Sequence, residues 1–384
     1  MNFSSSFFQR LGALTRWFWR STLGGSGRGC LSAGGASNTE EVARIDRRIL
    51  LIRCLPVPLA GALAWALFPK SPSNAGEEHG PKSEEIDGKS GATPLRYAHE
   101  GLEEACQRLR GILPAARIKD VVVSRVIMGG NMIGGWAHSR DLLYVAQLVQ
   151  AYNTEEKVFN ALAIAERAGV NTLLSHYSHL NILRRYWSQG GKMQFIADIN
   201  PFQGDDMMEV IRRAADSGAS MIYINGGQAD AMVNQGKVDE IGEAVELVRS
   251  LGLPGGIGAH HLNTVRTCVG HGLSPDFWMK TFHKSSYWSY TKEYEHDNVF
   301  DLDPEATAAY MEGLEQPWIA FKILAAGAIP PEQAFQWAFE KGADFICVGM
   351  FDWQVVDNMN LAYTILHSPL SRTRPWRALG APHA

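Results

Sequence analysis

Cysteine is scarce in this chain of 384 residues, and its spacing excludes two kinds of protein. The five cysteines stand far apart, with no Cys-x-x-Cys pair and no spacing of the zinc-ribbon type. A disulfide framework and a cysteine-rich metal site both need such spacings. The sequence therefore predicts neither of them.

Basic residues form no cluster within residues 115–384. Over the whole chain, 36 lysines and arginines face 40 aspartates and glutamates, and the formal net charge is −4. A protein that binds nucleic acid needs a basic patch to neutralise phosphates, so we expect no nucleic-acid partner. The expected partner is a small-molecule substrate, and the oligomeric state stays open.

Acidic residues are absent from residues 1–39, which contain four arginines and many serines and glycines. This composition can mimic a mitochondrial transit peptide, which is the less favoured interpretation. The pair Arg47-Arg48, the apolar run that ends at Phe68 and a small-residue cleavage candidate ending at Ala75 resemble a twin-arginine export signal. The run is about 20 residues long, so it could also span a bilayer as an anchor. Residues 1–69 are thus interpreted as a leader that exports the protein to the periplasm or anchors it to a membrane.

Large apolar residues are almost missing from residues 70–94, which are rich in Gly, Pro, Ser, Glu and Lys. Such a segment cannot bury enough apolar surface to fold, so it is predicted to be a disordered linker. We expect the folded domain to occupy residues 95–384 and any membrane contact to be made through the leader alone.

The rest of the chain alternates strand-like and helix-like runs. Strands are predicted at Val123–Met128, Thr172–Leu174, Gln194–Asp198, Met221–Asn225, Gly256–Ala259, Phe277–Thr281, Trp318–Leu324 and Phe345–Val348. Helices are predicted at Glu155–Ala168, Asp205–Ser217, Val238–Leu251, Leu262–Val269, Pro304–Leu314 and Pro331–Lys341. The last two strands and the helix between them form a βαβ unit, which implies a parallel sheet. Eight such strands, with a hairpin leading into the first, predict an α/β fold of the (β/α)8 barrel type.

Two stretches resemble the aldo/keto reductase superfamily, especially its shorter bacterial members. In the first, an apolar strand with a lysine and a small-residue turn precede Pro-Pro-Glu-x-Ala, and Asn358 follows a Val-Gly-Met strand end by eight residues. In the second, Val123–Gly130 and Ala165–Thr172 are similar to the family's opening hairpin and its entry into strand two. The resemblance covers roughly residues 115–366 and implies a single (β/α)8 barrel.

The resemblance does not extend to the catalytic tetrad of that superfamily. The family places Asp after strand two, Tyr a few residues on, Lys at the end of strand three and His at the end of strand four. Here the Asp position falls on Leu174, the Lys position near Asp198 and the His position on Asn225 or its neighbour, so only Tyr177 supplies a phenol. Without the lysine, nothing evident lowers a tyrosine pKa from about 10. Ordinary carbonyl reduction is therefore not expected.

The resemblance also implies where a dinucleotide would bind. The turn at Gly349 could leave room for a pyrophosphate to lie against the backbone. Asp357 and Asn358 match the pair that holds the adenine in the family. Asp352 stands where a 2′-phosphate would need a cation, so NAD is expected in preference to NADP. The alternative is an inherited scaffold without any dinucleotide.

Polar residues follow most of the predicted strands, and two kinds of chemistry fit them. The first is a divalent transition metal held by imidazole and carboxylate groups. Its candidate ligands are His176, His179, Asp198 and His261, with His260 and His283 in the same set. Because adjacent residues of a strand point to opposite faces, at most one of His260 and His261 is expected to face inward, unless both lie in the loop after the strand.

The second kind of chemistry is acid/base catalysis without a metal. Asp198 or His260 would be the base, Lys280 or Lys322 the electrostatic partner, and His283 the acid. The structural alternatives are a buried ion pair of Asp198 with one of the lysines, and a Lys322 that only stabilises the inner polar layer.

Two long connections are candidate lids over the site. Residues 136–152 contain Trp136 and His138, and in residues 282–300 polar residues alternate with Tyr287, Trp288, Tyr290 and Tyr294. Aromatic faces above a polar cleft are typical of sugar binding, although the same rings could plug the barrel or form a dimer contact. The predicted substrate contacts are Asn131, Trp136, Asn225 and Trp288.

The preferred hypothesis is an enzyme that acts on a carbohydrate or another polyhydroxy or carbonyl compound by acid/base chemistry, with or without a metal. One alternative is an NAD-dependent oxidoreductase with a proton relay through Tyr177 or His176. Another is a ligand-binding barrel without catalytic activity.

Overall fold

A computed structural model of the protein describes residues 101–137, 141–292 and 298–380. The predicted leader and linker lie outside the described residues, as do His138 and Tyr294 of the two candidate lids. Within the described part of the chain, no helix combines the length and the apolar character needed to cross a membrane.

An antiparallel hairpin precedes the barrel, as the sequence predicts. Its strands are β1 (Ala115–Ile118) and β2 (Val121–Ser124). The side chains of Ala116, Ile118 and Val123 are fully buried and pack with the interior of the barrel. The hairpin therefore plugs the N-terminal end of the barrel.

Eight parallel strands close into the barrel, which confirms the predicted (β/α)8 fold. They are β3 (Val126–Gly129), β4 (Thr172–His176), β5 (Gln194–Ile199), β6 (Met221–Ile224), β7 (Gly255–Ala259), β8 (Phe277–Thr281), β9 (Trp318–Phe321) and β10 (Phe345–Val348). Each strand pairs with the next along the chain, and β10 pairs with β3. Gly129 is required at this closure, because a Cβ there would lie 2.8 Å from the backbone nitrogen of Gly349.

Two predicted strands have a bound that is wrong by three residues, for different reasons. The run Val123–Met128 joins the end of the hairpin to the first barrel strand, which begins only at Val126. The run Trp318–Leu324 is too long because Lys322 adopts a left-handed backbone conformation, which ends β9 at Phe321.

Twelve α-helices occur in the described residues. They are α1 (Leu102–Gln107), α2 (Asn131–Gly134), α3 (Val145–Tyr152), α4 (Glu155–Arg167), α5 (Leu180–Ser188), α6 (Met207–Asp216), α7 (Gly226–Asn234), α8 (Val238–Ser250), α9 (Leu262–Gly270), α10 (Pro304–Glu312), α11 (Pro331–Glu340) and α12 (Asp352–Leu366). The six predicted helices are found as α4, α6, α8, α9, α10 and α11, whereas α2, α3, α5, α7 and α12 are additional. The helix α1 lies within residues 97–112, where apolar residues at helical spacing also indicate a short helix. The helix α7 begins with two glycines, which are poor helix formers, and it is stabilised by the Asn225 side chain, which accepts the N–H of Gly227.

A buried ionic network lies at the N-terminal end of the barrel. Asp344, just before β10, and Arg374 are both fully buried and pair at 2.7 Å from Nη1 to Oδ2. The backbone N–H groups of Trp318, Arg377 and Ala378 also donate to the Asp344 carboxylate. Arg374 donates in addition to three backbone carbonyl groups. The network ties the C-terminal segment to the strands and leaves the other end of the barrel as the open one.

Candidate active site

The C-terminal ends of the eight strands bring polar side chains around one opening, which we call the mouth. Neighbouring strands are in register there: His176 of β4 lies opposite Asp198 of β5, and Ala259 of β7 lies opposite Lys280 of β8. Barrel enzymes keep their active sites at this end. The strand arrangement therefore places most of the predicted site residues at a single opening.

His260 follows β7 directly, and Asp230 of α7 fixes its orientation. The distance from His260 Nδ1 to Asp230 Oδ2 is 3.0 Å, and the backbone N–H of His260 donates to the same oxygen. The second carboxylate oxygen accepts the hydroxyl of Thr264 at 2.6 Å. Because the partner of Nδ1 is a carboxylate, Nδ1 carries the proton and Nε2 is left with a lone pair.

The pKa values of this pair favour a neutral imidazole beside a carboxylate. Burial lowers the pKa of His260 below 6.5, although its hydrogen bond to Asp230 opposes the shift. Burial raises the pKa of Asp230, but the hydrogen bonds from His260 and Thr264 outweigh it, so the net shift is downward. No described residue is hydrogen-bonded to Nε2 of His260. The pair is thus prepared to accept a proton at neutral pH.

Lys322 lies beside His260 and is held in a strained conformation. Its φ is 58°, a left-handed value that costs a residue other than glycine about 1–3 kcal/mol. Lys322 Nζ lies 3.8 Å from the ring centroid of Phe300, and the His260 ring centroid lies 5.3 Å from the same ring. The half-buried amine and the imidazole therefore flank one aromatic ring at the mouth.

Lys280 is completely buried and holds neighbouring segments together. Its Nζ donates to the carbonyl oxygens of His260 and Thr281, at 2.7 Å each, and lies 3.7 Å from Asp301 Oδ2. Lys280 therefore forms an ion pair with Asp301. The alternative stated from the sequence is an ion pair between Asp198 and one of the two lysines.

His283 clamps the segment that covers one side of the mouth. Its Nε2 accepts the backbone N–H groups of Phe300 and Asp301, both at 3.0 Å, and its Nδ1 donates to the carbonyl oxygen of Lys284. Burial lowers the pKa of His283. Both ring nitrogens are therefore engaged in holding this segment, and the role of general acid stays a prediction.

Asp198 has fewer hydrogen bonds than its burial demands. Its Oδ2 accepts one hydrogen bond, from Asn225 Nδ2 at 3.0 Å. Its Oδ1 is shut off from solvent and accepts no hydrogen bond of normal geometry, although the hydroxyl of Tyr223 lies close enough to lower the pKa of the carboxyl. Burial is the larger influence and raises the pKa of Asp198. A carboxyl group in this state can hold a proton or accept one from a ligand.

The histidines of strand β4 and the turn after it are bound to neighbouring groups. His176 Nε2 lies 2.9 Å from the carbonyl oxygen of Asn200, and its Nδ1 lies 2.7 Å from Ser178 Oγ. His179 Nδ1 lies 2.7 Å from Ser175 Oγ, and burial lowers the pKa of His179 to about 4.

The predicted metal ligands are not assembled around one point. His261 is exposed at the start of α9, whereas His260 faces the mouth. Across the described ranges, no group of three or more His, Cys, Asp or Glu side chains is arranged to hold a metal ion. The divalent metal stays a prediction from the sequence, without support from the geometry of these four side chains.

Tyr177 is poorly placed for a low-pKa phenol. Its hydroxyl donates to Asp205 Oδ2 at 2.9 Å. Burial, together with this carboxylate, raises the pKa of Tyr177 above 10. The missing lysine of the reductase tetrad thus has no evident substitute at this tyrosine.

The residues predicted to hold a dinucleotide do not share one surface. Asn358 is buried in α12, whereas Asp357 is exposed. The Asp352 carboxylate, at the start of the same helix, accepts the hydroxyl of Tyr152 at 2.7 Å and pairs with Lys157 at 3.0 Å. A Cβ at Gly349 would lie 3.1 Å from Cγ of Met132 and 3.6 Å from the carbonyl oxygen of Gly129. NAD binding stays a prediction.

The predicted substrate contacts differ in their position at the mouth. Trp136 is partly exposed, stacks on His179 at 5.0 Å and contacts His176 edge-on at 5.1 Å. Asn131 is exposed at the start of α2, and Asn225 is held between Asp198 and α7. Trp288 is 83% exposed, so it lies on the outside of its loop.

Two neighbours of Trp288 hold that loop together. The Tyr287 hydroxyl donates to the carbonyl oxygen of Asn298, and the Tyr290 hydroxyl donates to that of Leu302. These two rings therefore serve the structure of the loop, and Trp136 is the better-placed aromatic contact for a ligand.

Sequence reasoning missed two carboxylates and one aromatic ring of the site. Asp230 lies in a helix that the two glycines concealed, and Asp301 lies at the end of a long loop. Phe300 was treated only as a loop boundary, although it contacts both His260 and Lys322. The signal that could have found Asp230 is the Asn225 cap, which places residue 230 one turn into a helix beside β7.

Comparisons with known proteins assign no activity to the chain. No protein-family model matches the chain, and no curated protein matches it. Among solved structures, one described as an aldo-keto reductase from Pseudomonas aeruginosa is 14% identical, with a TM-score of 0.47, and the match covers 67% of this chain and 98% of that one.

Two further solved structures belong to other enzymes. N-acetylneuraminic acid synthetase from Leptospira borgpetersenii is 10% identical, with a TM-score of 0.39 and coverage of 67% of this chain and 90% of that one. Phospho-2-dehydro-3-deoxyheptonate aldolase from Thermotoga maritima is 12% identical, with a TM-score of 0.39 and coverage of 66% and 71%. The present chain has a closed ring of eight parallel strands with intervening helices, so by its own fold it is a (β/α)8 barrel.

Proposed function

We propose that this protein is an enzyme that transfers a proton at a carbon next to the carbonyl group of a polyhydroxylated small molecule. The observation that carries the proposal is the Asp230–His260 pair, with Nε2 of the imidazole left without a described partner, next to the amine of Lys322. Isomerisation, epimerisation and aldol condensation all begin with the removal of such a proton.

His260 acts as the base in this proposal. Asp230 keeps the proton on Nδ1, so Nε2 can take a proton from the substrate, and the carboxylate stabilises the imidazolium that forms. The lowered pKa of His260, for which burial is the main cause, keeps the base unprotonated at neutral pH. Lys322 contacts the carbonyl group, whose oxygen gains negative charge as the proton leaves.

The preference for a hydroxylated substrate comes from the rest of the mouth. Asp198 and Asn225 offer polar groups within one hydrogen-bonded unit, and Trp136 offers a partly exposed aromatic face. A flat apolar face together with convergent hydrogen-bonding groups is the usual composition of a sugar site.

We also infer that the chain is a divergent relative of the aldo/keto reductases that no longer carries out their reaction. The matching stretches around the first two and the last two barrel strands support common descent with that superfamily. Leu174, Asp198 and Asn225 at the tetrad positions support a different chemistry. Export or membrane anchoring through residues 1–69 is part of this proposal and is motivated by the sequence alone.

Proton exchange in deuterium oxide tests the proposal. The protein would be incubated with a panel of aldoses, ketoses and sugar keto acids, and exchange at the carbon next to the carbonyl would be followed by proton NMR. In His260→Gln the exchange rate is expected to fall about 10²–10⁴-fold, which is the usual contribution of a general base. His261→Gln is the matched control, since it changes the neighbouring exposed imidazole. An equal loss in both variants, or none in His260→Gln, would contradict the assignment.

A further inference from the structure

The proposed function leaves open how Lys322 acts on the carbonyl group. An ammonium group could stabilise negative charge without bonding, whereas a neutral amine could add to the carbonyl carbon. The two lysines of the mouth differ in ways that bear on this choice. Lys280 is fully buried, whereas Lys322 is half-buried and within reach of a ligand that enters the mouth.

The backbone around Lys322 is the most strained segment of the described chain. Positive φ values occur at five described residues other than glycine, and three of them, Lys322, Ala325 and Ala326, fall within five positions. Such strain persists only where the surrounding structure enforces it, and it concentrates at functional sites. Here it ends β9 and places the Lys322 side chain over the mouth, beside Phe300.

The surroundings of Lys322 supply what a nucleophilic amine requires. A lysine becomes nucleophilic when it is partly desolvated or lies near another cation. The Phe300 ring covers one side of Nζ, and Lys280 carries a second charge on the adjacent strand. Both lysines act on the same imidazole, since the charge of each disfavours protonation of His260. Asp198 also lies within electrostatic reach of Lys322.

We propose that Lys322 is a covalent catalyst that forms an imine with the carbonyl carbon of the substrate. This inference rests on the proposed function and specifies its substrates as aldehydes and ketones that can condense with a primary amine. Simple hydroxylated carbonyl compounds belong to this class, whereas esters, amides and acetals do not.

The chemistry balances without any further reactant. Nε2 of His260 takes a proton from the Lys322 ammonium group, Nζ adds to the carbonyl carbon as the carbon–oxygen π bond breaks, and the imidazolium gives that proton to the oxygen. A second proton then passes from nitrogen through Nε2 of His260 to the new hydroxyl group, which leaves as water while the carbon–nitrogen double bond forms, and nitrogen keeps its third proton in a protonated imine. The protonated imine then accepts the electron pair when His260 removes a proton from the next carbon, and hydrolysis reverses the attachment.

Reductive trapping tests the proposal on the full chain. The protein would be incubated with dihydroxyacetone or glyceraldehyde and sodium cyanoborohydride, and peptides would be analysed by mass spectrometry. The expected result is an adduct with the mass of the probe minus one oxygen on the peptide that contains Lys322. Its yield is expected to exceed that at the exposed Lys192 by at least about 10-fold and to disappear in Lys322→Arg. Lys192→Arg is the matched control and should leave the adduct at Lys322 unchanged.

Deuterium exchange on the same samples separates the covalent role from the proposed function. Lys322→Arg keeps the positive charge, so exchange should fall about 10²-fold or more if the imine is required. Exchange that depends on His260 but survives in Lys322→Arg, or a wild-type protein without an adduct at Lys322, would overturn the imine and leave the proposed function standing. An adduct at Lys322 without any exchange would support the imine and overturn the proton transfer.

Discussion

Each end of the barrel carries an aspartate with a carboxylate oxygen that is shut off from solvent, and the hydrogen bonding of the two carboxylates differs. At the N-terminal end, each carboxylate oxygen of Asp344 accepts two hydrogen bonds. One of these four bonds comes from its ion-pair partner Arg374. At the mouth, Asp198 accepts one hydrogen bond, on Oδ2, while its Oδ1 is shut off from solvent.

This difference shows which end serves stability and which end serves a ligand. Burying an ionised carboxylate is costly unless its oxygens find donors, and Asp344 finds four. The under-satisfied Asp198 is a cost to the folded protein that a ligand could offset. Function is therefore expected to be concentrated at the mouth, and stability at the N-terminal end.

The largest effect on stability is expected from Arg374→Met. The substitution keeps an apolar stem but leaves the Asp344 carboxylate buried without its ion-pair partner, which typically costs about 3–5 kcal/mol. Urea unfolding followed by tryptophan fluorescence would measure the change. Arg377→Met is the control, because the partner of that arginine, Glu315, is exposed and such pairs contribute about 0–1 kcal/mol. Equal losses in the two variants would refute the assigned role of the network.

At the mouth, the largest effect is expected on activity. Asp230→Asn removes the carboxylate that orients His260, so the rate of proton exchange should fall about 10²-fold or more. Burial is the main cause of the low pKa of His260, and Asp230 opposes it. Loss of Asp230 should therefore move the acid limb of the pH–rate profile to lower pH. A profile whose acid limb stays in place would show that His260 is not the group that titrates.

The fold was predictable because it depends on residue patterns that are local. Apolar runs separated by helical periodicity identified all eight strands, and errors arose where backbone geometry overrode propensity. Lys322 ended β9 early through its left-handed conformation, and the Asn225 cap allowed α7 to begin with two glycines. Neither effect is visible in hydrophobic pattern alone.

The site was only partly predictable, because residue type does not reveal which atoms are already engaged. The sequence placed His176, His260 and His283 near one another but could not rank them. The ranking depends on hydrogen bonds to backbone groups and loops, which occupy both nitrogens of His176 and of His283. Only His260 has a carboxylate on one nitrogen and no described partner on the other.

Acidification is expected to weaken the mouth more than the N-terminal end. Burial lowers the pKa of His179 to about 4, and the charge of His176 adds to the shift. An unfolded histidine titrates near 6.5, so between about pH 6.5 and pH 4 the unfolded state binds more protons. The free energy of unfolding should therefore fall as the pH drops through this window. The shifts of His260 and His283 have the same sign, while that of Asp198 has the opposite sign.

The contribution of His179 can be isolated by substitution. His179→Gln keeps a polar group near Ser175 but has no titration in this window. Its free energy of unfolding should decline less steeply than that of the wild type between pH 6.5 and pH 4, whatever its value at pH 7. Parallel declines would mean that the buried imidazole is protonated as easily as an exposed one.

The smallest effect on stability is expected from Asp198→Asn, and its sign sharpens the contrast with Asp344. The amide keeps the size of the side chain and removes a carboxylate whose pKa burial raises. We expect the free energy of unfolding to stay within about 1 kcal/mol of the wild type, or to rise, since a buried charge without adequate partners is unfavourable. Proton exchange should nevertheless decrease, because Asp198 lies on the ligand side of the barrel. Asp344→Asn, measured alongside, should lose stability in the range expected for Arg374→Met. If Asp198→Asn were equally destabilising, the carboxylate at the mouth would have to be held by groups that matter as much to folding as those around Asp344.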